Sequence, residues 1–212
     1  SIGDRFVTAL ALIALGRQEY ALGDRPRAAS YLDEAMTVAR RDGFGHELAQ
    51  IAIYRALIAR DAGDLARSRA FADEGLLRAR SDGRKGEVAR ALYLLGDLAD
   101  RDGQLDQARS CFRDSLLLYQ QVADPSGIAL ALASLARVSR PQDRAARLGG
   151  AAEVLADHPP RVARQIDAWE LKEARARLGA FDHECRASAA WQEGRNVSLD
   201  AILADALARA SA

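Results

Sequence analysis

The chain has 212 residues, 49% of them apolar, 28% charged and 6% aromatic, and its 30 basic residues balance 30 acidic ones. A net charge of zero argues against a nonspecific nucleic-acid binder, which carries basic excess. The longest uninterrupted apolar run, Ala9 to Leu15, is far too short to cross a membrane, and two cysteines, Cys111 and Cys185, make neither a disulfide framework nor a CxxC pair.

This composition fits a reducing cytoplasm. No charged-then-apolar signal segment opens the chain. It starts at Ser1 inside a helical pattern and reads as a piece of a longer protein.

The leading signal is a repeat with a spacing of 40 residues. Gly23 opens GDRPRAASYLDEA, Gly63 opens GDLARSRAFADEG, and Gly103 opens GQLDQARSCFRDS. Gly16, Ala56 and Gly96 hold one equivalent small position, and Asp42-Gly43 and Asp82-Gly83 close the first two units. Each unit reads as two antiparallel helices. The expected pairs cover about 5–43, 44–83, 84–123 and 124–156, the fourth being degenerate from Pro141 to Leu155.

In the first pair, Asp24 precedes Pro26, which predicts an N-cap followed by a proline in the first turn. Asp64 repeats the cap in the second pair, and Asp124-Pro125 opens the fourth. In the third, Val88, Leu92, Leu95 and Ala99 form one apolar stripe at helical spacing, and Leu105, Ala108, Phe112, Ser115 and Leu116 form its partner. Gly103 ends the first of these helices, because glycine tolerates the left-handed cap. Arg55 stands where Leu15 and Leu95 stand in the neighbouring units. Either the helix is rotated locally, or Arg55 lays its stem over apolar surface and pairs its head with an acid, Asp73 or Glu74 on the partner helix being the expected ones. One pair cannot bury its own apolar face, so the pairs must stack.

Leu15-Gly16, Gly23, Ala28 and Ala35, and again Leu95-Gly96, Gly103, Ala108 and Phe112, resemble the tetratricopeptide (TPR) repeat. That resemblance implies an all-α, right-handed α-α superhelix of about eleven helices. Residues 157–212 would cap it with helices packed on the last repeat.

The tail narrows the resemblance. It runs through Arg147-Leu148-Gly149-Gly150-Ala151-Ala152-Glu153, a Pro159-Pro160 break and a long helix. Then come Leu178-Gly179, a helix ending in Trp191-Gln192-Glu193-Gly194-Arg195, and Ser198-Leu199 opening the last helix. This is similar to the C-terminal TPR region of large bacterial regulators with a STAND-type ATPase, such as LuxR-type, MalT-like and AfsR-like activators. The segment from Gly179 to Trp191 is about one turn longer than that family's pattern. The resemblance implies a regulatory interaction module that takes a protein, a peptide or a small effector and passes its state to other domains of the parent. The alternative is a standalone TPR scaffold or a peptide-pheromone receptor. No GxxxxGK[ST] loop and no helix-turn-helix occurs in the chain, so direct nucleic-acid contact is not expected of it.

Catalytic constellations are weak. His183-Glu184-Cys185 fails as a metal cluster, because adjacent helical residues diverge by about 100° and a zinc helix needs i, i+4. His158 precedes two prolines in a turn, and His46 falls in the first turn of a helix. Cys111 reads as a small core hydrophobe and Cys185 as half-buried. Asp33-Glu34 and Asp73-Glu74 recur with the repeat and read as solvated faces. Trp169 and Trp191 read as anchors between helices. No enzyme activity, cofactor, metal or membrane partner is expected.

In a TPR array the first helix of each pair lines the concave side. Alignment on Gly16, Ala56 and Gly96 places Arg17 and Tyr20 there from the first unit, and Gln50, Arg60 and Asp61 from the second. Arg90, Tyr93, Asp97, Asp100 and Arg101 follow from the third, and Arg137 and Arg140 from the fourth. Arg and Tyr suit recognition because each joins apolar area to directed hydrogen bonds. An anionic or mixed-charge partner is expected near Arg60, Arg90, Arg101 and Arg137.

Overall fold

The structure, a computed structural model, describes residues 2–157 and 168–208. His158 and the Pro159-Pro160 break lie outside the described residues. The chain is all-α: among the described residues there are twelve helices and no strand. Eight come first in chain order: α1 (Ile2–Leu22) and α2 (Arg25–Asp42), which pair as a hairpin, α3 (Gly45–Asp61) and α4 (Leu65–Ser81), which do the same, then α5 (Lys85–Arg101) and α6 (Leu105–Gln121), and the hairpin of α7 (Pro125–Val138) and α8 (Gln142–Asp157). Four more follow: α9 (Ala168–Leu178), α10 (His183–Ala187), α11 (Ala189–Asn196) and α12 (Leu199–Leu207). Two compact units divide the chain, Ser1–Leu98 and Ala99–Ala212, and the division falls inside α5.

The turns are written in side-chain chemistry. Asp24 and Asp64 each accept the backbone N–H three residues on, at 3.0 Å, and Asp124 accepts from Ser126 and Gly127. Gly23, Gly43, Gly63, Gly83 and Gly103 all have φ between 67° and 97°, the left-handed region that ends a helix. Position 123 continues the series at spacing 40 from Gly83, but it is alanine, held at φ 52°.

In the first unit α1 packs on α2 and α3, α2 on α3, and α3 on α4. The small position in α1 is needed: a β-carbon at Gly16 would come within 2.8 Å of Leu32 Cγ. In the second hairpin, Ser68 occupies the place of Ala28 and Ala108. Its hydroxyl donates to the Ala56 carbonyl at 2.9 Å, so the buried polar atom is satisfied.

Arg55 is ion-paired, but with a different acid from the one expected. Its Nη1 lies 2.9 Å from Asp33 Oδ1 on α2, and its guanidinium lies 4.6 Å from the centre of the Phe71 ring on α4. Glu74 is held instead by Arg78, four residues on in the same helix. The reason is direction. Arg55 turns its Nη1 to Asp33 of the preceding hairpin while its guanidinium lies over Phe71 of its own.

In the second unit α7 carries α6, α8 and α9, while α8 receives α9, α10, α11 and α12. The two motifs of the tail meet here. The Trp191 indole, 1% exposed, lies over Gly149, where a β-carbon would collide with the ring. A β-carbon at Gly150 would strike the Trp191 carbonyl oxygen, and one at Gly194 would strike the Arg147 carbonyl oxygen. Glu153 locks the crossing: it accepts from Trp191 Nε1 at 3.1 Å and from Arg186 Nη1 at 3.1 Å, and it pairs with Arg195. Trp169 is buried on α9.

Three local expectations change. The segment before Trp191 is two helices and not one, because Ser188 takes an extended conformation, donates to the Cys185 carbonyl at 2.7 Å and caps α11 through the Trp191 N–H. With that break, twelve helices lie among the described residues where about eleven were expected. Cys185 is buried, not half-buried. Leu105 is 41% exposed while Ala108, Phe112, Ser115 and Leu116 are fully covered.

Candidate functional site

The residues placed by sequence on the recognition face sort into two groups. The first is a ladder of polar contacts between first helices, buried at Tyr20, Tyr54, Arg60 and Asp97 and more open at Arg17, Asp61, Asp100 and Arg137. Arg17 Nε on α1 donates to the Tyr54 hydroxyl on α3 at 3.1 Å. The Tyr20 hydroxyl donates to Asp61 Oδ2 at 3.0 Å, and Arg25 Nε donates to the same oxygen at 2.8 Å. Arg60 lies 2.9 Å from Asp61 Oδ1 and 3.5 Å from Asp97 Oδ2 on α5. In the second unit Arg137 Nη2 on α7 donates to Asp100 Oδ2 at 2.9 Å, and Arg177 Nη1 lies 3.9 Å from that oxygen.

Arg17–Tyr54, Arg60–Asp97 and Asp100–Arg137 are each 37 residues apart. That is one repeat less about one helical turn. The same step therefore brings a cation or hydroxyl onto its partner in hairpin after hairpin.

The electrostatics follow from this packing. Burial pushes the Tyr20 phenol far above its ordinary value; the Arg60 charge opposes that shift and Asp61 adds to it. Burial also acts to raise the Asp61 carboxyl. The charges and hydrogen bonds of Arg60, Arg25 and Tyr20 outweigh it and hold Asp61 below the usual carboxylate range.

Tyr20, Arg60, Tyr93 and Asp97 are therefore buried, at 4%, 4%, 0% and 2% exposure. They shape the face from beneath and present little to a partner, so Arg60 is withdrawn from the expected anionic contact. The second group reaches solvent: Arg17, Gln50, Arg90 and Asp100 are half-buried, and Asp61, Arg101, Arg137 and Arg140 are exposed. Sequence reasoning missed Tyr54, Arg25 and Arg177. The recurring 37-residue offset was the available signal for Tyr54. Arg25 sits at a second-helix start and Arg177 in the non-repeating tail, where no alignment points to them.

Two concavities lie within the second unit. One, of about 400 Å³, is lined by Ala136, Arg137, Arg140, Gln142, Phe181 and Asp182 among others. Another, of about 560 Å³, gathers Arg109, Arg113, Arg140 and Arg144. Two of its arginines serve the fold. Arg113 donates to the Ala206 and Ala208 carbonyls, and Arg144 to the Asp205 carbonyl at 2.5 Å, which caps the C-terminal end of α12.

Among the described residues no three His, Cys, Asp or Glu side chains gather where they could hold a metal ion. His46 lies in the first turn of α3 and His183 opens α10. Burial raises the Cys185 thiol pKa, and Asp182 raises it further, the opposite of what an activated thiolate requires. No described helix is long and apolar enough to cross a membrane. The chain matches no protein-family model, no curated protein and no solved structure.

Proposed function

We propose that the chain is a TPR-like, right-handed superhelical segment of a larger, cytoplasmic, signal-responsive transcriptional regulator, and that it works there as a non-catalytic interaction module. The solvent-reaching side chains of the first helices form its recognition surface for a protein, peptide or small effector. The observation that carries this reading is the ladder. Within each unit it ties first helices together through polar pairs, and so holds Gln50, Asp61 and Arg90 in one unit, and Arg101, Arg137 and Arg140 in the other, on rigid elements. Preorganised polar groups of mixed charge lower the ordering cost of binding. In the same reading the tail motifs around Glu153 close the last hairpin and are structural.

The test is site-specific photocrosslinking in the parent protein in its own cell. A photoreactive residue at Gln50 or Arg101 should capture a defined partner or parent domain. The same residue at Leu77, an exposed second-helix position, should not. Capture only from Leu77 would overturn the assignment of the surface.

A further inference from the structure

Building on the interaction-module reading, we infer that the 400 Å³ pocket formed by the end of α7, the start of α8 and the turn before α10 binds a small zwitterion of amino-acid size through its carboxylate. The volume lies in the range of small-molecule sites, about 300–1,000 Å³. Ala136, Ala145, Ala180, Phe181 and Cys185 supply small and apolar lining with one aromatic wall. Arg137, Arg140, Gln142 and Asp182 supply the polar half of the lining. A small number of placed polar groups is what fixes a ligand's orientation in such a site.

Arg140 sets the chemistry. In this unit Arg137, Arg144, Arg177 and Arg195 each hold a carboxylate of the chain. Arg140 holds none among the described residues; its Nη1 donates to the Ser139 carbonyl at 2.9 Å. The remaining donors of its planar guanidinium match a carboxylate in a two-pronged hydrogen bond. The Gln142 amide lines the pocket and offers both a donor and an acceptor.

Asp182 then decides between anions. One of its oxygens accepts the Cys185 N–H at 2.8 Å as the cap of α10. Its negative charge at the pocket disfavours dianions and phosphates and favours a ligand that carries an ammonium group beside its carboxylate. Arg137 is committed to Asp100, so it contributes field and shape while Arg140 makes the contact.

The experiment is isothermal titration of the whole chain with four probes: phenylalanine, phenylalanine methyl ester, succinate and inorganic phosphate. Phenylalanine should bind, and the other three should bind at least about tenfold more weakly, a difference of about 1.4 kcal/mol. Arg140→Ala should weaken phenylalanine binding about tenfold or more, and Gln142→Ala by a smaller factor. Arg109→Ala, in the other concavity, should leave it unchanged. Both pocket residues are exposed, and circular dichroism checks that each variant keeps its helices. No binding of phenylalanine, tighter binding of phosphate or succinate, or full affinity in Arg140→Ala would each overturn the proposal. Photocrosslinking at Gln50 separates the two readings: a partner captured there without phenylalanine binding refutes the pocket and leaves the interaction module standing.

Discussion

Replacing Arg55 by alanine probes how one hairpin is stacked on the next. Arg55 takes a position that is leucine in the flanking repeats: Leu15, 41% exposed, and Leu95, 8% exposed. Its side chain is 17% exposed, while its partner Asp33 is 58% exposed. An ion pair with so open an acid contributes only about 0.2–1 kcal/mol. The guanidinium over the Phe71 ring, at 4.6 Å, adds about 0.5–1 kcal/mol. The larger share is the stem. Each methylene taken fully out of water is worth about 0.8 kcal/mol, and truncation strips several from the seam between α2 and α4. Freed side-chain entropy offsets part of this, up to about 2 kcal/mol. The balance is a loss of about 1–3 kcal/mol for Arg55→Ala, read as a lower thermal midpoint by a few to about ten degrees. Arg55→Leu keeps the volume and should stay within about 1 kcal/mol of the parent. Asp33→Asn should cost under about 1 kcal/mol. Thermal melts of the three variants decide. If Arg55→Ala melts with the parent, or Arg55→Leu falls as far as Arg55→Ala, the stem does not seal the seam and the stacking argument fails.

Three further outcomes follow from the same structure. Gly150→Ala should cost about 1–3 kcal/mol by overpacking, because its β-carbon meets the Trp191 backbone, while Gly45→Ala, with nothing within 4 Å, should be neutral or slightly stabilising in a urea titration. Ala123→Gly should raise stability by about 0.5–1 kcal/mol, since the left-handed φ of 52° costs alanine about 1–2 kcal/mol and the greater freedom of unfolded glycine returns part of that; an unchanged or lower urea midpoint would refute it. The Asp61 carboxyl is held below its unfolded value of about 3.9, so its contribution is present above that pH and fades as the pH drops further, through the folded-state value. Asp61→Asn should flatten that acid limb, and an identical limb in the variant would mean that Asp61 titrates alike in both states.

The sequence carried the hairpins legibly because their ends are chemically loud. Asp24, Asp64 and Asp124 before a helix, and glycine at 23, 43, 63, 83 and 103, are local signals that need no tertiary context. Ser188 was silent by contrast: Ala-Ser-Ala-Ala is compatible with a continuous helix, and only the hydroxyl bonded to the Cys185 carbonyl shows the break. The tail motifs were visible as words, but their meeting was not. That glycines 149, 150 and 194 admit Trp191 and the Arg147 carbonyl is a fact of packing across about forty residues.

The recognition face was legible as a set of positions and not as a set of exposed groups. Helical period assigns a residue to a face, but whether the next hairpin covers it depends on the neighbour. Hence Arg60 and Asp97, read as groove charges, pair with each other out of solvent. The Arg140 pocket was half legible. Arg140 falls on the repeat, whereas Phe181 and Asp182 come from the tail, where there is no second copy to align.

The central claim is that solvent-reaching residues of the first helices recognise a partner. It is tested most directly by measuring the affinity of the partner captured at Gln50 or Arg101 for three variants of the chain: Arg90→Glu, Arg137→Glu and Leu77→Glu, each confirmed helical by circular dichroism. The account predicts a loss of about tenfold or more, about 1.4 kcal/mol, in at least one of the arginine variants and none in Leu77→Glu. Parent-like affinity in both arginine variants, or an equal loss in Leu77→Glu, would contradict it.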